Sequence, residues 1–378
     1  MDVVSLAQKL IMFDSSNPPG NQRECADFIA DHLKPFSNVK VYEKDGVRNV
    51  VAELVFSRGG PVLVFNGHWD TVPWSPEAWT EHPLNPVIRD GWLYGRGSAD
   101  MKGGLAALIS AFEDVAFLEG LEGRLVLMAV GDEERGGLRG TRYVLSKTGL
   151  RPDYVIVGES TDLMLKVGRR GIIQARLKVH GDEMHSSKVY LNYVSSIEVC
   201  SELTLLVRRL DPGDAEDVMP RTTFVVTIFE AGVKENVIPR TAHLYIDIRN
   251  TPKVTPADVE RLLVRELEFL KKKYGNFNYE LEVREAAKPY LVRDSSLTRI
   301  LEGVYAKLGL TPVHDAGGGT SDGRFFVEEG VRNVIEIGPV GKNIHGIDEC
   351  VEVKSIIQAK KIYFEAAKVI LGRSEKAC

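Results

Sequence analysis

A histidine and an aspartate two residues apart, at the end of a predicted strand, are the first side chains in this chain that could do chemistry. Residues 63–66 form an apolar run that predicts a buried strand, and His68 and Asp70 follow it. Open α/β sheets bind ligands where their strands end, so we expect both side chains at a crevice. His68 could bind a metal through one ring nitrogen, while Asp70 accepts a hydrogen bond from the other nitrogen or from a bound water. Alone, the pair would more often belong to a solvated loop.

Further acids and a second histidine occur in comparable settings. Each of them follows an apolar run that predicts a buried strand or lies in a glycine-bounded loop; they are Asp100, Glu133, Glu134, Glu159 and His345. Taken singly, Asp100 could belong to a helix cap, and the adjacent Glu133 and Glu134 could be an exposed loop pair. Taken together, mixed imidazole and carboxylate donors suit zinc, with cobalt or manganese as substitutes.

Five of these six side chains could form a two-metal centre. Two divalent cations carry four positive charges, against which three carboxylates and one hydroxide would balance in a low-dielectric cleft. Adjacent acids cannot easily ligate the same ion from one turn, so Glu133 is better assigned to proton transfer than to metal binding. In that role Glu133 takes a proton from the attacking water and passes it to the leaving nitrogen, as amide hydrolysis requires.

The predicted elements that must position these residues alternate between strands and helices. This order predicts an α/β fold with a mixed, largely parallel sheet flanked by helices. The pattern changes after residue 171 to half-exposed strands in a β-α-β-β-α-β order, which predicts an inserted α+β domain. We therefore expect a catalytic domain made of residues 1–171 and 286–378, and an inserted domain made of residues 172–285.

Composition excludes several classes of function. The 378 residues are 44% hydrophobic and 27% charged, and the formal net charge of −5 gives no basic surface for nucleic acid or for anionic membranes. No apolar stretch approaches the roughly 18 residues of a membrane span, and the amino terminus lacks a signal-peptide pattern, so we expect a cytoplasmic protein. The four cysteines are scattered without a C-x-x-C pair, which disfavours a disulfide framework or a thiolate zinc site.

With these residues in view, the chain resembles the co-catalytic zinc metallopeptidases, the family that contains acetylornithine deacetylase, succinyl-diaminopimelate desuccinylase, aminoacylase and glutamate carboxypeptidase. The resemblance covers essentially the whole chain and is carried by residues 67–73 (GHWDTVP), residues 95–104 (GRGSADMKGG), Asp132-Glu133-Glu134, Gly158-Glu159, and His345 with Glu349. It implies that His68, Asp100 and Glu159 hold one zinc and that Asp100, Glu134 and His345 hold the other. It also implies that Glu133 is the general acid/base and that Asp70 orients His68.

The resemblance gives the inserted domain a purpose as well. It implies a lid that forms a homodimer, in which His185 stabilises the oxyanion in the neighbouring subunit's site. Four residues match positions that hold substrate in relatives: Arg170, Asn236, Arg249 and Thr320. An arginine would bind a substrate carboxylate in a bidentate manner, and Thr320 could donate a hydrogen bond from its hydroxyl.

Three functional hypotheses follow from this resemblance. The favoured one is a di-zinc amidohydrolase that removes an acetyl or succinyl group from an amino acid such as ornithine or diaminopimelate. A zinc carboxypeptidase or dipeptidase acting on short peptides is the alternative, because the chemistry is the same and only the acyl-side pocket differs. A relative that binds without turnover is disfavoured, since all six chemical groups are present.

Overall fold

The structure is a computed structural model, and it describes residues 1–20, 23–188, 190–215 and 217–373. Within these ranges the helices are α1 (Val3–Ile11), α2 (Arg23–Leu33), α3 (Gly103–Val115), α4 (Thr141–Thr148), α5 (Ser196–Val207), α6 (Pro256–Tyr274), α7 (Ser296–Lys307), α8 (Gly323–Glu328) and α9 (Val353–Leu371). The first strands are β1 (Asn38–Lys44), β2 (Val47–Val55), β3 (Val62–His68), β4 (Val87–Arg89), β5 (Trp92–Tyr94), β6 (Arg124–Val130), β7 (Tyr154–Val157), β8 (Leu165–Arg169), β9 (Ile172–His180) and β10 (Met184–His185). The later strands are β11 (Thr223–Ala231), β12 (Val237–Ile238), β13 (Thr241–Arg249), β14 (Asn278–Ala287), β15 (Tyr290–Leu291), β16 (His314–Ala316), β17 (Val334–Glu336), β18 (Gly341–Lys342) and β19 (Cys350–Glu352).

The chain divides into two compact units. The first consists of residues 1–167, residues 292–315 and the residues from 321 onward, and the second consists of residues 168–291 with residues 316–320. Both units are therefore discontinuous in sequence.

The first unit is built on a mixed sheet with the strand order β1-β2-β6-β3-β7-β17-β8. Its four central strands, β6, β3, β7 and β17, run parallel. β3 is buried along its whole length, because Val62 and Val64 face a cluster that includes Val144 of α4 and Phe325 of α8, while Phe65 meets Tyr363 of α9 on the other side. Covering both faces in this way is typical of parallel sheets. The prediction of an α/β fold with a largely parallel sheet flanked by helices is confirmed.

The parallel strands bring their carboxyl ends to one edge of the sheet. His68 is the last residue of β3, and Glu133 and Glu159 follow β6 and β7 by a few residues. Asp100 lies ahead of α3, and that helix begins in close contact with the end of β7. A Cβ added to Gly104 would lie 1.9 Å from the carbonyl oxygen of Gly158, so only glycine permits this approach.

The second unit is an antiparallel sheet of order β11-β13-β9-β14 covered by α5 and α6. Burial along β13 alternates strictly, with Ala242, Leu244, Ile246 and Ile248 buried, which is the pattern of a sheet packed on one face. Along the chain the main elements follow the order β9, α5, β11, β13, α6 and β14, with the short β10 and β12 between them. The role of this unit as a lid remains a prediction.

Two further observations concern membrane-spanning helices and the cysteines. Among the described residues, no helix has both the length and the apolar content that a membrane span needs. Cys25, Cys200 and Cys350 are free and buried, and Cys378 lies outside the described residues.

Candidate metal centre

The first group of converging side chains surrounds the Nε2 atom of His68. This nitrogen lies 3.1 Å from Oδ1 of Asp100 and 3.6 Å from Oε1 of Glu159. The His68 ring is almost completely buried, and its Nδ1 lies 2.9 Å from the backbone oxygen of Asp70. Because that carbonyl can only accept a hydrogen bond, it favours the tautomer with a proton on Nδ1 and leaves Nε2 free as a donor to a metal.

A second group shares Asp100 with the first. The Nε2 atom of His345 lies 3.2 Å from Oδ2 of Asp100 and 3.2 Å from Oε1 of Glu134. The two oxygens of the Asp100 carboxylate therefore face different histidines. One donor atom from each of His68, Asp100 and Glu134 lies within 4.8 Å of the others. The structure thus brings together all five side chains for which metal binding is predicted, and Asp100 stands between the two histidines.

The electrostatics of this group are those of a site with excess negative charge. Hydrogen bonds with Asp100 and Glu134 raise the pKa of His345 to about 10. Burial lowers the pKa of His68, but hydrogen bonds to Asp100 and Asp70 outweigh it and leave that pKa well above its usual value. Burial raises the pKa of Glu134. Two imidazole nitrogens beside three crowded carboxylates are a donor set that fits divalent cations of the zinc type.

Glu133 differs from its neighbour Glu134. Within the described ranges its carboxylate makes no hydrogen bond or ion pair, whereas that of Glu134 contacts His345. Burial raises the pKa of Glu133 well above its usual value, and the nearby acids Glu159 and Asp322 raise it further. An uncommitted carboxylate with a raised pKa is suited to accepting and returning a proton.

Asp70 holds both His68 and the turn that carries the two glutamates. Its Oδ1 lies 3.4 Å from Nδ1 of His68 and accepts a hydrogen bond from the backbone N–H of Glu133 at 3.2 Å. Its Oδ2 accepts from the backbone N–H of Glu134 at 3.3 Å and from Nδ2 of Asn17 at 3.0 Å. Asp70 is fully buried, so these contacts fix its orientation.

Glu349 has a positioning role that the sequence pattern did not reveal. Its Oε1 accepts hydrogen bonds from the backbone N–H groups of Ala99 and Asp100 at 3.0 and 2.9 Å. Its Oε2 accepts from the N–H of Gly97 at 2.9 Å and from Nη1 of Arg96 at 2.6 Å. This buried carboxylate therefore holds the backbone that presents Asp100. In the sequence, Glu349 is noticed only as part of the motif that it forms with His345. Its role could not be predicted, because backbone N–H donors leave no pattern in the sequence.

Glu349→Ala is expected to destabilise the metal-free protein by about 3–5 kcal/mol, because it leaves the buried Arg96 cation unpaired together with three backbone donors. Glu349→Gln keeps one carbonyl acceptor and should cost less. Urea unfolding of the metal-free variants measures both values. Glu352→Ala, at a partly exposed position three residues later, is the control. Equal stability of Glu349→Ala and wild type would contradict the assigned role.

The remaining predicted site residues lie in the second unit, where two pairs form. Nε2 of His185 lies 3.2 Å from Nδ2 of Asn236; His185 is the exposed last residue of β10, and the half-buried Asn236 directly precedes the partner strand β12. Burial lowers the pKa of Arg170, and the nearby Arg249 guanidinium lowers it further. Thr320 ends the short segment, residues 316–320, that clusters with this unit. Substrate binding by these residues remains a prediction.

The fold and the clustered donors together define a class of α/β proteins with a candidate metal centre at the carboxyl edge of a parallel sheet. The model of Peptidase family M20/M25/M40 matches residues 64–369 of the chain. The chain belongs to this family, and it is a hydrolase of that family with a candidate metal site. The predicted resemblance is thereby confirmed.

Individual relatives and solved structures resemble the chain over nearly its whole length. The chain is 31% identical to the succinyl-diaminopimelate desuccinylase of a Nitratiruptor species, over 98% of this chain and 99% of the relative. It is also 31% identical to the enzyme of the same name from Nautilia profundicola, over 97% and 98% of the two chains. Among solved structures, aminopeptidase PepT from Bacillus cereus has a TM-score of 0.81 at 20% identity, covering 97% of this chain and 98% of that one. The YXEP protein of Bacillus subtilis, described as a dinuclear metal binding peptidase, has a TM-score of 0.75 at 16% identity, covering 98% and 97%.

Proposed function

We propose that the protein is a di-zinc amidohydrolase that removes the succinyl group from N-succinyl-diaminopimelate. The observation that carries the proposal is the position of the Asp100 carboxylate, whose two oxygens lie 3.1 Å from His68 and 3.2 Å from His345. A carboxylate that lies beside both imidazoles would allow these side chains to hold a pair of zinc ions. In this proposal Glu159 completes the first zinc site and Glu134 the second.

Each residue of the site then has a defined task. Bound zinc would acidify a water and polarise the scissile carbonyl, which are the two demands of amide hydrolysis. Glu133 accepts the proton of the attacking water and delivers it to the leaving nitrogen, for which its uncommitted carboxylate is available. Asp70 keeps the His68 ring in the tautomer that presents Nε2, and it holds the backbone of Glu133 in place.

The choice of a succinylated substrate has two supports. The two relatives described above, each 31% identical over nearly the whole chain, are named desuccinylases. In addition, the guanidinium of Arg170 lies near that of Arg249, whose charge is already paired with Asp247 at 2.7 Å, so the Arg170 charge would be available to bind an anionic group. A succinyl group carries a terminal carboxylate, whereas an acetyl group does not. In this proposal Arg170, Arg249, Asn236 and Thr320 bind substrate.

The proposal is tested with purified protein loaded with zinc. N-succinyl-L,L-diaminopimelate, N-acetylornithine and a set of dipeptides are supplied separately, and release of the free amine is measured. We expect the succinylated substrate to have the highest kcat/KM. Preference for dipeptides would replace the proposal by the carboxypeptidase or dipeptidase alternative, which the same metal chemistry would serve. If no amine is released from any of them, the enzymatic proposal is wrong.

We also propose a homodimer through the second unit, with His185 of one subunit completing the oxyanion site of the other. The support is β11, an edge strand of the sheet whose Val225, Ile228 and Phe229 are 51%, 45% and 41% exposed. An apolar edge strand is prone to pair with another chain, and a second copy would cover it.

We further propose a cytoplasmic location, which the three free cysteines favour.

Ile228→Lys is expected to convert the dimer to a monomer, because the added charge would be buried unpaired at the interface. Sedimentation equilibrium measures the change. Activity should fall about 100-fold or more in the monomer, since the loss of one oxyanion donor has that effect. Glu282→Lys on β14, the opposite edge strand, is the control and should remain dimeric. A fully active monomer would exclude a shared site.

A further inference from the structure

The loop that carries His345 contains three residues with a left-handed backbone. We call residues 343–349 the histidine loop. Asn343, His345 and Asp348 have left-handed φ values of 55°, 62° and 54°. Asn, His and Asp adopt this region more often than other non-glycine residues, and contacts with the surrounding structure help to keep them there. The side chain of His345 is 49% exposed, so packing around its ring contributes little to holding it.

Arg96 supplies a buried contact to this loop. The residue is 3% exposed, and its Nη2 donates a hydrogen bond to the backbone oxygen of His345 at 3.3 Å. Its Nη1 donates to Oε2 of Glu349 at 2.6 Å, and Glu349 in turn holds the backbone of Asp100. One guanidinium therefore connects the backbone of His345 with the carboxylate that positions Asp100, the acid shared by both histidines.

A second loop contacts Arg96 and the histidine loop together. We call residues 73–86 the tryptophan loop. The guanidinium carbon of Arg96 lies 5.1 Å from the centroid of the Trp79 ring. The backbone N–H and the hydroxyl of Thr80 donate to the two carboxylate oxygens of Asp348 at 2.9 and 2.7 Å. The tryptophan loop is thus attached to the histidine loop directly through Asp348 and indirectly through Arg96.

We propose that Arg96 is a positioning residue for His345, and that Trp79 and Thr80 of the tryptophan loop complete the clamp that keeps His345 facing Asp100. The planar guanidinium is needed because it makes two hydrogen bonds in different directions while it lies against an aromatic ring; an ammonium group is a point charge without that geometry. The part of the inference that concerns metal occupancy rests on the proposed role of His345 as a zinc ligand.

Arg96→Lys tests the clamp in the metal-free protein, where catalysis plays no part. Lysine can still pair with Glu349, but it cannot also reach the carbonyl of His345 and stack on Trp79. We expect hydrogen exchange of the amides in the histidine loop to become about tenfold faster, because one charge-assisted hydrogen bond that keeps the loop closed is lost. Arg89→Lys is the matched control, because Arg89 also lies over an aromatic ring, 4.8 Å from the centroid of Tyr94, and it is exposed.

Zinc binding provides the second readout. Chelator competition should show that Arg96→Lys weakens one of the two bound zinc ions about 10- to 100-fold, the effect expected for loss of a contact that orients a ligand. In a His345→Ala background, the same substitution should change the affinity of the remaining zinc much less. Arg89→Lys should bind zinc as the wild type does. The hydrogen-exchange experiment tests the clamp whether or not the protein is a desuccinylase. The proposed clamp and the proposed function can therefore fail separately.

Thr80→Val keeps the inference testable if Arg96→Lys does not fold. The side chain of Thr80 is exposed, and the substitution removes only the hydroxyl contact with Asp348. We expect roughly threefold faster exchange in the histidine loop, in line with the loss of one hydrogen bond at the surface. Wild-type exchange in this loop, in whichever of the two variants folds, would overturn the proposed clamp. So would an effect in Arg89→Lys as large as that in Arg96→Lys.

Discussion

Replacement of Glu133 by glutamine is expected to lower kcat about 10³- to 10⁴-fold while the protein retains its bound metal. Glutamine has the size of glutamate but cannot accept a proton from water. The Glu133 carboxylate contacts neither histidine, and within the described ranges it makes no hydrogen bond or ion pair. Its loss should therefore leave the ligands of both proposed zinc sites in place. Steady-state kinetics beside elemental analysis of the same preparation measures the two quantities.

Glu282→Gln is the matched control for this experiment. Glu282 is an exposed glutamate on β14 of the second unit, where the change should leave kcat and metal content as they are in the wild type. If Glu133→Gln loses metal together with activity, Glu133 is a ligand and not the general base. If it retains most of its activity, another group transfers the proton.

Asp100→Ala is expected to abolish binding of both zinc ions, whereas His345→Ala should abolish only one. The difference follows from geometry, since Asp100 contacts both His68 and His345, while His345 contacts only Asp100 and Glu134 within the cluster. We expect about two zinc ions per chain in the wild type, about one in His345→Ala and close to none in Asp100→Ala. Activity should fall at least 10³-fold in the last variant.

Elemental analysis after dialysis against buffered zinc gives these numbers. His314→Ala is the control for the histidine substitution, because His314 pairs with Glu302 and takes no part in the cluster. Equal losses of zinc from Asp100→Ala and His345→Ala would show that the aspartate is not shared. Retention of two zinc ions by Asp100→Ala would remove the basis of the proposed centre.

Part of this site could be predicted from the sequence because strand order determines it. His68 ends β3, and Glu133 and Glu159 follow β6 and β7, so the parallel pairing of these three strands places all three side chains at one edge of the sheet. Apolar spacing likewise predicts a helix over 2–11, and α1 is observed at Val3–Ile11, because Asp2 caps it with its side chain. Local patterns of this kind need no knowledge of distant contacts.

Other parts of the site could not be derived from local patterns. His345 is a candidate donor because it lies in a glycine-bounded loop, but its approach to Asp100 depends on contacts between segments about 250 residues apart, and only the family resemblance predicted that pairing. The role of Glu349 escaped prediction because its partners are mainly backbone N–H groups. The sequence pattern assigns residues 316–320 to the first domain, yet hydrogen bonds from Ala316 to Val218 and from Gly317 to Gly168 place them in the second unit.

The most direct test of the account is the position of zinc in crystals of the loaded protein, located by anomalous scattering at the zinc absorption edge. We predict two peaks on opposite sides of the Asp100 carboxylate, one beside His68 and Glu159 and the other beside His345 and Glu134. Glu133 should contact neither ion. A single peak, or a peak bound by Glu133, would contradict the proposed centre.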